Sequence, residues 1–133
     1  MIRYRSGYKY QLAEPDALNV GIIPPESIVT PFICLSERGN LYINGGYAWD
    51  GATGFPDIPS IMRGSLVHDA LYQLMRLGHL PPACRAQADT MLYRCCLEDG
   101  MFKPMAWAVF KAVRLAGSSA ASPTNAKPIL EAP

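Results

Sequence analysis

The chain has 133 residues, half of them apolar and 17% charged, with a net charge of +1. That length suits one domain with one modest core, and the composition excludes a disordered chain. Twelve basic residues against eleven acidic ones give no electrostatic footprint for nucleic acid.

The N-terminus, Met1-Ile2-Arg3-Tyr4-Arg5, is followed by polar residues and shows no apolar signal-peptide core. No apolar run is long enough to span a bilayer; the best, Met101 to Leu115, is broken by Lys103, Pro104, Lys111 and Arg114. These features predict a chain without a transmembrane segment, kept in a reducing cytoplasm. Cys34, Cys84, Cys95 and Cys96 include no C-x-x-C pair, so they read as buried free thiols. A Cys84–Cys95 disulfide is the alternative, and the lack of metal-ligand spacing disfavours zinc.

The first 60 residues are rich in β-formers and punctuated by turns. Tyr8 to Leu12 alternates loosely, and Pro24-Pro25 breaks the chain. Ile28-Val29-Thr30, Phe32 to Leu35 and Leu41-Tyr42-Ile43 read as strands. The last two form a hairpin around Glu37-Arg38-Gly39-Asn40, ended by Asn44-Gly45-Gly46. A loop dense in breakers, AWDGATGFPDIPS, then runs from Ala48 to Ser60. A loop of this length without regular structure is characteristically functional or mobile.

Three helices are expected after it. The first runs from Ile61 to Arg76, with Ser60 as N-cap and Gly78 as its stop. Ile61, Ser65, His68, Tyr72 and Met75 share one of its faces. The second runs from Pro82 to Glu98, with Gly100 after its end, and sets Asp89, Leu92 and Cys96 on one face. The third runs from Lys103 to Ala116, ended by Gly117. Its apolar residues cover much of its circumference, which predicts deep burial, with Trp107 and Phe110 in the core. Residues 118–133 read as a flexible tail. The fold class is therefore α+β: a β-hairpin region followed by a three-helix core. The domain spans residues 1–117: 1–47 β-rich, 48–60 a loop and 61–117 helical.

If the first two helices pair antiparallel, His68 meets Asp89. A carboxylate on one ring nitrogen fixes the tautomer and leaves the other nitrogen to take a proton from water. Tyr72, one turn beyond His68, can reach the same carboxylate. Asp69 points roughly 100° away from His68 around the helix and can face the loop. Asp69, Asp50 and the Gly51 carbonyl are the candidate oxygen donors for a hard cation. The bland counterparts are a satisfied buried His–Asp pair and an ordinary Asp-Gly turn. A metal phosphohydrolase of the HD type needs a histidine upstream of His68, and the only other histidine is His79. Ser-His-Asp hydrolysis lacks its G-x-S-x-G.

The stretches GGYAWDGATGF, MRGSLVHDALYQLMR, Ala88-Asp89 and AVRLAG resemble a family of small phage and bacterial proteins, domain of unknown function 1353. The likeness covers nearly the whole chain to Gly117 and implies a phage-type source. More remotely, the order of elements is similar to secreted bacterial and fungal phospholipases A2. Their D-x-C-[ST] calcium loop, H-D-x-x-Y helix, later Asp and A-W-x-x-[YF]-x-A-V-[KR] helix correspond to four stretches here. These are Asp50 to Thr53, His68 to Tyr72, Asp89, and Ala106 to Arg114. The gap of 21 residues from His68 to Asp89 also suits that pattern.

The second resemblance implies a phospholipase A2-like core with His68 as general base, Asp89 as its orienting partner and Tyr72 supporting Asp89. It implies calcium held by Asp50, Gly51 and Asp69, and a phospholipid or ester substrate. The loop cysteine of those enzymes is Ala52 here, and the cysteine before their H-D pair is missing. The competing expectation is a non-enzymatic virion or tail component that keeps the scaffold and binds phage structural proteins through its C-terminal tail. Either reading places the protein in the host cytoplasm or on the virion.

Overall fold

A computed structural model describes residues 2, 4–5, 10–51 and 55–120, with backbone alone for 4–5 and 117–120. Ala52 and Thr53 of the calcium-loop match, and the tail from residue 121 onward, lie outside the described residues. The chain is α+β, strands first and helices after, in two compact units that meet in sequence between Asp50 and Gly51.

The first unit holds seven short strands: β1 (Tyr4–Arg5), β2 (Tyr10–Leu12), β3 (Asp16–Asn19), β4 (Ile28–Val29), β5 (Ile33–Leu35), β6 (Asn40–Ile43) and β7 (Ala48–Trp49). They form two antiparallel sheets, ordered β1-β2-β7 and β3-β6-β5-β4. The expected hairpin is β5–β6, pairing Ile33 with Ile43 and Leu35 with Leu41. Those four side chains are buried, whereas Tyr42 between two of them is exposed, as the two-residue period of a strand requires. Its turn closes through Gly39 at φ +81°, a left-handed conformation that favours glycine. The Ser36 hydroxyl accepts from Asn40 N–H at 3.1 Å.

The 48–60 loop is shorter than expected. Ala48 and Trp49 form β7, where Trp49 is buried against the Tyr10 ring, and Pro59 and Ser60 are already helical.

The second unit contains α1 (Pro59–Arg76), α2 (Arg85–Glu98) and α3 (Lys103–Ala120). Proline occupies the first turn of α1, where its missing N–H is harmless. The N-cap is therefore Ile58, not Ser60, and it makes no side-chain cap bond. At the other end Gly78, φ +81°, donates to the Met75 carbonyl and His79 to that of Leu74, a Schellman closure. The α2 end repeats it: Gly100 donates to the Leu97 carbonyl and Met101 to that of Cys96. Pro82–Cys84 forms a separate tight turn before α2.

Arg63 meets Glu98 and Asp99, Gly64 meets Leu92 and Cys95, and His68 meets Asp89, so α1 and α2 run antiparallel. Tyr93 meets Trp107 and Phe110, and Asp89 meets Arg114, so α3 reverses again.

Helix α3 corrects two expectations. It continues through Gly117 to Ala120, and it is not deeply buried. Ala106 and Val109 face inward, but Trp107 is 51% exposed and Phe110 is half-buried, so neither belongs to the sealed core. Among the described residues, no helix is long and apolar enough to cross a membrane. All four cysteines are free; Cys95 and Cys96 are buried and Cys34 and Cys84 half-buried.

Candidate active site

The helical unit brings His68, Tyr72 and Asp89 together, as their faces predict. His68 and Tyr72 lie one turn apart on the inward side of α1. Asp89 stands on the facing side of α2 and is fully buried. The His68 Nε2 lies 2.7 Å from Asp89 Oδ1. The Tyr72 hydroxyl donates to the same oxygen at 2.5 Å. The two rings lie against each other, with centroids 4.1 Å apart at 35°, which fixes the imidazole plane.

The other carboxylate oxygen has cationic partners. Arg114 Nη1 on α3 donates to Asp89 Oδ2 at 2.9 Å, and Arg85 Nη1, one turn before Asp89, lies 3.6 Å from it. Arg85 also donates to the Arg114 carbonyl at 3.2 Å, tying α2 to α3. Neither arginine was among the site residues expected from sequence. The i,i+4 spacing of Arg85 and Asp89 was a readable signal. Arg114 stood in the late-helix motif with nothing to point it at Asp89.

Burial alone would raise the Asp89 carboxyl. The hydrogen bonds from His68 and Tyr72, the His68 charge and the bond from Arg114 outweigh it, and the group lies below its ordinary value. An ionised carboxylate only accepts. The Nε2 of His68 therefore carries the proton, and in the neutral ring Nδ1 holds the lone pair. Among the described residues Nδ1 has no hydrogen-bond partner, and the side chain keeps 15% of its surface open. Burial, the bond to Asp89 and its charge all push the Tyr72 phenol well up, so it stays a donor.

This arrangement can do one thing beyond filling space. It presents a fixed basic nitrogen, backed through the ring by a buried anion.

The proposed cation ligands are placed as follows. Asp69 lies on α1 with 30% of its side chain exposed and its Oδ1 3.9 Å from Arg76 Nη2. Gly51 has φ +82°, a turn conformation. Asp50 is exposed and ends the strand unit. Among the described residues, no group of three or more His, Cys, Asp or Glu side chains is arranged to hold a metal. Two carboxylates and a carbonyl are nonetheless hard oxygen donors of the kind calcium takes.

No family model, curated protein or solved structure matches the chain.

Proposed function

We propose that the protein is a phage-type, calcium-dependent hydrolase of lipid or other esters, resembling the phospholipases A2. The observation that carries this reading is the His68–Asp89 pair: Nε2 held on a buried, ionised carboxylate, and Nδ1 without a partner among the described residues. In this reading Nδ1 takes a proton from water as the water oxygen adds to the ester carbonyl carbon. The imidazolium that forms is stabilised by Asp89 through Nε2–H, while Tyr72 and Arg114 keep the carboxylate in place. The proton then passes to the departing alkoxide as the C–O bond breaks, giving an acid and an alcohol. Calcium, when bound by the Asp50 carboxylate, the Gly51 carbonyl and the Asp69 carboxylate that the resemblance assigns, would polarise the ester carbonyl. The phage-type likeness supports action in the host cytoplasm or on the virion.

The test is hydrolysis of a phospholipid ester in calcium by the wild type and by His68→Asn. Turnover that disappears in a folded His68→Asn protein supports the mechanism; turnover that survives rejects it. Calcium calorimetry on the wild type and Asp50→Asn tests the ligand set separately, through heat of binding.

A further inference from the structure

Helix α3 carries an outward stripe at a spacing of four: Lys103, Trp107, Lys111 and Leu115. All four side chains are exposed, Trp107 by 51% and Leu115 by 85%. Phe102, immediately before the helix, is 74% exposed. These three are all of the exposed large apolar side chains among the described residues of the helical unit. Lys103 follows Phe102 in the chain, Lys111 stands one turn from both Trp107 and Leu115, and Lys103–Ala120 contains no acidic residue at all.

The indole is also braced. Trp107 stacks on Phe110 with centroids 5.4 Å apart at 30°, takes the edge of Tyr93, and has the Lys111 ammonium 5.9 Å from its ring centroid. A held aromatic side chain loses little freedom on insertion. Tryptophan prefers the boundary between headgroup and acyl chain, and lysines beside it attract anionic headgroups.

We propose that this outer face of α3 is an adsorption surface for anionic phospholipid bilayers, lying in the headgroup region with Phe102, Trp107 and Leu115 turned inward. A second copy of the chain fits the face less well, because two-fold pairing centred on Trp107 would set Lys103 of each copy against Lys111 of the other, like charge on like. The proposal goes beyond the hydrolytic reading: adsorption needs neither His68 nor calcium.

The test is co-sedimentation of the full chain, in EDTA, with vesicles of phosphatidylcholine alone or mixed with phosphatidylglycerol. The wild type is expected to sediment with the anionic vesicles and to release as salt is raised. Emission from the exposed Trp107 should shift to the blue, over a constant background from the buried Trp49. The double variant K103E/K111E, altered only at exposed positions, should partition roughly tenfold or more weakly. Trp107→Ala should also bind more weakly, and His68→Asn should bind as the wild type does even where it loses hydrolysis. The proposal is overturned if the wild type stays in the supernatant or if K103E/K111E sediments equally well. It is also overturned if the wild type dimerises in vesicle-free solution through a contact that K103E/K111E abolishes.

Discussion

The hydroxyl of Tyr72 and the ring nitrogen of His68 converge on one atom, Asp89 Oδ1, at 2.5 and 2.7 Å. With two donors on one oxygen and the arginines on the other, the carboxylate has no freedom to rotate away from the imidazole. Tyr72→Phe keeps the ring contact with His68 and removes only the hydroxyl. It should lower unfolding stability by about 1.5–3 kcal/mol, the range for a hydrogen bond to a charged group. Urea denaturation of the two proteins measures this.

Asp89 also sets an acid limit on the fold. Its folded value is depressed, so its contribution is fully present above the unfolded carboxylate value, about 4, and is lost as pH falls through the folded value. Stability should therefore drop on acidification below about pH 4. Asp89→Asn should lower stability at neutral pH by roughly 3–5 kcal/mol, because it leaves Arg114 and Arg85 facing a neutral group in a buried site. Its acid limb should also be shallower than that of the wild type. Thermal melts of both proteins across an acid series give the comparison.

The crossing of α1 and α2 depends on Gly64. A Cβ there would stand 2.9 Å from Leu92 Cδ1 and 3.2 Å from the Leu92 carbonyl oxygen. The Leu92 methyl can swing aside, but the backbone oxygen cannot do so alone. Alanine gains about 1 kcal/mol of helix propensity against an overpacking cost of about 1–3 kcal/mol. Gly64→Ala should therefore be neutral to about 2 kcal/mol destabilising. Gly64→Val, which adds branching at the same contact, should be clearly worse. A denaturation series of Gly, Ala and Val at this position orders the three.

The vicinal thiols should be chemically silent in the native protein. Burial pushes the Cys96 thiol up to about 12 and Cys95 up to about 11. Iodoacetamide near pH 8 should label the half-buried Cys34 and Cys84 first. Cys95 and Cys96 should react at the rate of global or local opening. Mass spectrometry of timed labelling distinguishes the positions, and early modification of Cys96 would contradict the packing described.

Much of this was legible in the sequence where local chemistry and tertiary structure agree. Ile33, Leu35, Leu41 and Ile43 alternate with polar or smaller neighbours around a Gly39 turn, and the hairpin follows. Gly78 and Gly100 mark helix ends because only a left-handed residue completes their closures. The pairing of His68 with Asp89 follows from two helical faces and a short connection.

Other features depend on partners that periodicity does not name. β3, Asp-Ala-Leu-Asn, contains no β-branched residue and is a strand because β6 supplies its hydrogen bonds. Helix α3 is apolar around much of its girth, which from sequence alone implies burial. The packing of α2 along one side of it leaves the Trp107–Leu115 stripe open. Arg114 reaches Asp89 across 25 residues of chain, a meeting that only the third helix's return can arrange.

Asp89 is the point where all three helices are fastened: α2 bears it, α1 reaches it through His68 and Tyr72, and α3 through Arg114. The keystone of the architecture is thus also the anchor of the proposed base. Loss of activity on replacing Asp89 would be ambiguous, since the whole helical unit loosens with it. Persistence of an aspartate there among related chains would be equally mute about chemistry, because a purely structural descendant would need it as much. The informative witness is the imidazole. A lineage that abandoned turnover would be free to exchange His68 for any side chain able to donate to Oδ1, while leaving the aspartate and both arginines untouched.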